Sequence, residues 1–372
     1  MFCLFAILCC MTEQLPDLPR KGRGAVGNPT GRFEPEVRYA VDDGWGAGDD
    51  DAPPLRTSVT DETPKAIISR NASPDVPFAQ SINTYRGCEH GCIYCFARPS
   101  HAFLGLSPGL DFESKLFAKP NAAALLEKEL RKPGYSPRTI MLGANTDIYQ
   151  PAERDRRITR EVLEVLSAFN HPVAMATKSA LVLRDLDILA PMAAKGLASV
   201  AISVTTLDRR IARLMEPRAA APNRRLETIK ALSGAGVPVT VLVSPIIPFL
   251  TDAETEHILE VAAEAGATTA GYILLRLPLE LKELFIDWLQ AHFPGSETHV
   301  LNQLRDCRDG ALYVSQFGSR MRGSGAYADL IEQRFHLACK RLGLAQRAET
   351  EIPLNTTLFA PPPREGDQLR LL

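Results

Sequence analysis

One pattern repeats from residue 79 to about 275 and leaves few folds open. A short run rich in β-branched and other apolar residues is followed by a stretch with helical spacing, and then the pair recurs. The strand runs lie at 78–85, 138–143, 172–177, 198–204, 237–243 and 269–275, and the later amphipathic stretches at 156–168, 184–195, 223–235 and 252–265. In the first of these stretches Ile158, Val162, Val165, Leu166 and Phe169 share one helical face. Gly196, Gly236 and Gly266 each follow a helical run and precede a strand, where a helix C′ residue belongs. Strand–helix units in series imply parallel strands joined by right-handed crossovers. Six units rather than eight imply an open, partial barrel: an α/β, TIM-like (β/α)6 core. Functional side chains should gather at the C-terminal ends of its strands.

This core accounts for residues 79–295. Residues 12–78 are rich in Gly, Pro and charge without a sustained hydrophobic period, which predicts an extended N-terminal arm over 1–78. Lys21–Ala25 and Asp42–Gly46 read as loop or disordered arm, with Trp45 able to anchor it in a groove. Residues 296–372 mix β and helical signals, with a strand expected over 311–317 and a helix near 325–342, and read as a C-terminal α+β cap over the barrel's side or mouth. The opening apolar run, Met1 to Met11, is too short to span a bilayer and lacks a basic leader. Translation is expected to start at Met11 and the protein to be cytoplasmic, with no membrane association.

At 45% hydrophobic residues and 372 positions the chain can bury a large core unaided. A formal charge of −2 argues against a protein coated in basic charge, but leaves room for a local basic patch. The eight cysteines, at 3, 9, 10, 88, 92, 95, 307 and 339, do not form the dense framework of a small secreted domain. Three of them cluster in Tyr85-Arg-Gly-Cys-Glu-His-Gly-Cys-Ile-Tyr-Cys-Phe-Ala-Arg98, directly after the first strand.

Thiolates are soft ligands suited to zinc or iron–sulfur centres. A structural zinc site wants four closed ligands, which here would enlist His90 or His101. Three thiols on one loop instead leave one iron of a [4Fe-4S] cubane open. That iron can chelate the amino and carboxylate groups of S-adenosylmethionine, and one electron then cleaves the sulfonium to a 5′-deoxyadenosyl radical.

The C-x3-C-x-aromatic-C pattern after the first barrel strand resembles the radical SAM superfamily, over roughly 79–292. The resemblance implies Cys88, Cys92 and Cys95 as cluster ligands and Tyr94 as a ring near the adenine. It assigns Asn145, Thr146 and Asp147, after the second strand, to the amino group, although the family's usual Gly-Gly-Glu is absent. Lys178 after the third strand falls to the carboxylate or ribose, and Ser203 and Thr205, on one face at the end of the fourth, to ribose. Arg225, in the Glu216-Pro…Arg225-Leu226 segment, falls to the carboxylate. Val243–Pro248 resembles the family's adenine-contacting segment. A reducing partner such as a flavodoxin or ferredoxin is implied as well.

Asn145-Thr-Asp-Ile-Tyr-Gln-Pro-Ala-Glu153 and Arg98-Pro-Ser-His101 resemble the branch related to spore photoproduct lyase. That implies lyase or repair chemistry on nucleic acid. Basic residues 305, 308, 320, 322, 334, 340, 341 and 347 could meet phosphates. Cys307 or Cys339 could return a hydrogen atom to a product radical. The alternatives are a radical SAM enzyme acting on RNA, a peptide or a metabolite, and a non-catalytic iron–sulfur or zinc scaffold.

Overall fold

The computed structural model describes residues 17–37, 55–346 and 354–363. The apolar N-terminal run, Trp45 and Arg347 lie outside the described residues.

Six strands form the central sheet: β1 (Gln80–Ile82), β2 (Ile140–Leu142), β3 (Val173–Thr177), β4 (Ala198–Ser203), β5 (Val239–Ile246) and β6 (Thr269–Leu274). They pair in chain order, every neighbour parallel, in register such as Ile140 with Val173 and Val173 with Ala198. The two edges are Ser69–Arg70, antiparallel to β1, and Ala345–Gln346, parallel to β6. The sheet does not close on itself. It is the open α/β arrangement expected from six units.

Helices α1 (Ala122–Leu130), α2 (Ile158–Ala168), α3 (Leu186–Ala194), α4 (Pro222–Gly234) and α5 (Thr255–Glu264) make the crossovers. On α2, Ile158, Val162 and Leu166 are buried, Phe169 just beyond it is too, and Val165 is partly covered. Each side chain so buried contributes roughly 1.5–3 kcal/mol through area removed from water. Gly196, Gly236 and Gly266 all have positive φ (70°, 78° and 102°), as C′ glycines do.

Three segments depart from the sequence reading. The run 78–85 is divided: β1 ends at Ile82, and Tyr85–Arg86 turns away to pair antiparallel with Lys115–Ala118, which also pairs with Ser58–Asp61. No strand forms over 311–317. Positive φ at Asp309, Gly310 and Gly318 brackets that stretch, and Ala345–Gln346 already occupies the free edge of β6. The arm is not structureless where described, since residues 23–27 are buried. The expected C-terminal helix is α6 (Ala326–Leu342), which lies against α5, with Arg334 bonding Glu256 at 2.7 Å. It covers the side of the sheet.

Candidate active site

The cysteine loop leaves the first strand pair through Gly87 and turns again at Gly91, both at positive φ (73° and 68°). A Cβ on Gly87 would fall 2.8 Å from Leu116 Cδ2 and 2.9 Å from Phe112 O, so the loop turns against Leu110–Ser114 with no room to spare. Cys88 and Cys92 are buried and Cys95 is half-buried. Burial pushes both the Cys88 and Cys92 thiols well up. Asp147 adds to this at Cys88, while Lys178 opposes it at Cys92. The Asp147 backbone N–H points at the Cys88 sulfur.

Arg98 organises the loop from beneath. With its side chain excluded from solvent, it donates to the carbonyls of Cys92 (2.9 Å), Gly91 (2.9 Å), Pro108 (3.1 Å) and Gly109 (2.9 Å) and pairs with Glu113. Glu113 in turn accepts from Gly24 N (2.9 Å) and Ala25 N (2.8 Å), and Arg23 donates to its carbonyl at 2.8 Å. The arm is thereby part of the loop's foundation.

The polar run 145–153 fastens the same loop to the sheet. Gln150 accepts from Glu89 N at 2.8 Å and donates to Gly87 O at 3.3 Å. Thr146 donates to Tyr85 O, and Glu153 accepts from Tyr85 Oη at 2.6 Å and pairs with Arg184. Asp147 accepts from Thr177 Oγ1 (2.7 Å), Lys178 N (2.8 Å) and Tyr149 N (2.9 Å), with His90 Nδ1 3.3 Å away. Burial alone would raise its carboxyl. His90 and those donors outweigh it and hold Asp147 well below the usual carboxylate range.

On the other side, Tyr94 bonds Glu216 through its hydroxyl, with Thr205 Oγ1 3.2 Å away. Thr205 donates to Glu216 at 2.8 Å, and Ser203 to Ser244 O at 3.1 Å. Arg225 pairs with Glu216 and donates to Ser203 O (3.0 Å) and Ala220 O (2.7 Å). Every guanidinium nitrogen of Arg225 therefore has a partner within the chain, which suits a positioning residue better than a free ligand for a carboxylate. Lys178 differs. Its ammonium has no carboxylate partner among the described residues and stands 5.6 Å from the centre of the Tyr94 ring.

The structure thus brings Cys88, Cys92, Cys95, Tyr94, Thr146, Asp147, Lys178, Ser203, Thr205 and Arg225 around one loop. Asn145 is exposed at its edge, its N–H on Asn83 Oδ1 at 2.9 Å. Cys307 and Cys339 are 0% exposed and pack in the large core cluster, not in the clusters carrying the three loop cysteines; burial raises both thiols to about 11. His101 meets Lys115 O through Nε2 at 2.9 Å and packs edge-on to Phe112, while its buried Nδ1 has no hydrogen-bond partner among the described residues. Among the described residues no three His, Cys, Asp or Glu side chains converge on a position for a single metal ion. Sequence reasoning missed Glu113, Gln150 and the arm residues 23–25. Most of the basic tail is internally paired: Arg320 with Asp75, Arg322 with Glu332, Arg334 with Glu256, Arg341 with Glu260. Among the described residues, no helix is long and apolar enough to cross a membrane.

Residues 82–262 match the model of the Radical SAM superfamily. An uncharacterized protein of Mycobacterium tuberculosis is 38% identical over 221 residues, 59% of this chain and 65% of that one. The matched stretch thus spans less than two thirds of that relative's length. One from Methanocaldococcus jannaschii is 26% identical over 222 residues, 60% of this chain and 79% of its own. Among solved structures, a spore photoproduct lyase mutant with bound AdoMet and dinucleoside spore photoproduct superposes with a TM-score of 0.57. It is 14% identical, covering 79% of this chain and 82% of that one. A spore photoproduct lyase complexed with the dinucleoside photoproduct gives 0.55 at 13% identity, covering 77% and 81%. At such identities the likeness is one of fold.

Proposed function

Residues 82–262 belong to the radical SAM superfamily, and from that premise we propose that this chain is a radical SAM enzyme acting on nucleic acid. Cys88, Cys92 and Cys95 would hold a [4Fe-4S] cluster, with S-adenosylmethionine beside it. The observation that carries this reading is the juxtaposition of three loop thiols with the Lys178 ammonium, which has no carboxylate partner among the described residues. The donor set fits the group: three soft thiol ligands on one largely buried loop.

Held by Cys88, Cys92 and Cys95, such a cluster would supply one-electron reductive cleavage of S-adenosylmethionine. The chain's own residues do the rest. Arg98, Glu113 and Gln150 hold the loop rigid, and the Asp147 N–H supports the Cys88 sulfur. Lys178 would take the cofactor carboxylate, Asn145 and Thr146 its ammonium, and Tyr94, Ser203 and Thr205 its nucleoside. Glu216 and Arg225 fix Tyr94. An electron donor such as a flavodoxin or ferredoxin completes the scheme. Nucleic acid as substrate is supported by the fold shared with spore photoproduct lyase, and lyase-type chemistry is the corresponding proposal.

Anaerobic reconstitution with iron and sulfide, then reduction in the presence of S-adenosylmethionine, tests the reading. The expected product is 5′-deoxyadenosine, absent when Cys88, Cys92 or Cys95 is replaced by Ala. A stable zinc protein with no iron uptake would sink it. Deuterium transfer from labelled DNA into 5′-deoxyadenosine tests the substrate.

A further inference from the structure

Beyond the C-terminal end of β6, three arginines meet where the tail crosses the cysteine loop. Arg276 lies with its guanidinium carbon 4.7 Å from the centre of the Phe96 ring, immediately after Cys95. It has no hydrogen-bonding or carboxylate partner among the described residues, unlike its neighbours. Arg308, 1% exposed, donates to Leu275 O at 2.6 Å and to Arg320 O at 3.2 Å, while its buried Nε–H has no acceptor. Arg320 carries the local carboxylate, Asp75, and also donates to Ser73 Oγ at 2.7 Å. Three guanidinium groups thus share one acid, and that acid is already held.

A desolvated cation without a counter-charge is costly, and so is a buried N–H without an acceptor. Burial pushes the Arg276 guanidinium below its usual value; Arg320 adds to that, and Tyr313, Asp75 and Cys95 oppose it. An oxyanion brought from outside the chain supplies the counter-charge that Arg276 lacks. Arginine's planar fork matches phosphate oxygens, and Phe96 holds that fork from one face.

We propose that Arg276, backed by Arg308, is the phosphate-binding contact of the substrate site, taking a phosphodiester of nucleic acid beside Cys95 and Phe96. The choice of a phosphodiester rests on the nucleic-acid reading above; the oxyanion site itself stands on the geometry. It leaves Arg320, Arg322, Arg334 and Arg341, each paired with one of the chain's own acids, out of the contact.

Two probes separate the claims, used on reconstituted protein without reductant. Inorganic phosphate binding is read by calorimetry, and binding of a fluorescent single-stranded oligothymidylate by anisotropy across a salt series. Wild type should bind both. Arg276→Gln should abolish phosphate binding and weaken the oligonucleotide roughly tenfold, with the salt slope reduced by about 0.7. Arg276→Lys should restore part of the affinity. A melting temperature no lower than wild type, expected because Arg276 has no polar partner to lose, rules out misfolding as the cause. Equal oligonucleotide binding by wild type and Arg276→Gln would overturn the contact and leave the nucleic-acid reading intact. Phosphate binding that depends on Arg276, with no oligonucleotide bound, would uphold the anion site and overturn its nucleic-acid source. No binding of either probe would overturn both.

Discussion

Arg98 and Glu113 form an ion pair whose two side chains are both 0% exposed, directly beneath the cysteine loop. The charges are fifteen residues apart in sequence and bind opposite partners. Arg98 takes loop carbonyls, and Glu113 takes amides of the N-terminal arm. The pair therefore joins the loop to the arm, beside the apolar contact of Ala25 and Val26 with Cys92, Ile93 and Tyr94.

Breaking this pair from one side leaves the other charge buried and uncompensated. Glu113→Gln should cost on the order of 3–5 kcal/mol in urea unfolding. It should also reduce iron retained after reconstitution, because Arg98 fixes the carbonyls of Gly91 and Cys92. Unchanged stability together with full iron content would show that the pair does not set the loop.

The arm's seat depends on the absence of one side chain. A Cβ on Gly24 would lie 1.8 Å from Gly91 O, and backbone cannot yield as a flexible side chain does. Gly24→Ala should lift the arm, speed tryptic cleavage at Arg23 and lower iron retention. Gly234→Ala, at a helical position open within 4 Å, should change neither and add some helix stability. Equal cleavage rates in the two variants would contradict the packing described.

The six strands are legible in the sequence because β1 to β5 are largely buried on both faces, so their runs read as nearly continuous apolar segments bounded by helical periods. The cysteine spacing is legible because it is local. The arm was not. Its order comes from Glu113, 88 and 89 residues away from the amides it accepts, and a Gly-rich stretch carries no sign of that partner. The run 311–317 misled for a similar reason: its apolar residues suit a strand, but the edge it would need is taken by Ala345–Gln346. Polar residues 145–153 were noticed as a motif. That Gln150 and Glu153 bond the cysteine loop and its approach emerges only once β1 and β2 lie side by side.

Acid should act on His171 before it reaches most carboxylates. The ring is fully buried, with Nε2 2.8 Å from Tyr135 Oη and Nδ1 3.0 Å from Pro172 O. Burial lowers its pKa from 6.5 to about 4. The folded state thus binds fewer protons than the unfolded one between those values. The stability that His171 contributes is complete above pH 6.5 and is lost as pH falls from 6.5 through 4, by on the order of 3 kcal/mol. Urea unfolding at pH 7 and pH 4.5 should show this loss, and His171→Gln should flatten that part of the profile. An equal slope in both proteins would remove His171 as its source.

Lys178 has no carboxylate partner among the described residues, and the proposal gives it one, the carboxylate of S-adenosylmethionine. A charge-assisted hydrogen bond is worth roughly 1.5–3 kcal/mol, so Lys178→Met should weaken cofactor binding by about ten- to a hundredfold in equilibrium dialysis of the reconstituted protein. Decarboxylated S-adenosylmethionine distinguishes this role from a structural one. It lacks the group Lys178 would hold, so wild type and variant should bind it alike. A parallel loss for both compounds would mean that Lys178 acts on the pocket's shape, through its stack on Tyr94, and the carboxylate would then need another partner. Arg225 could serve only by giving up Glu216, and with it the hydroxyl anchor of Tyr94.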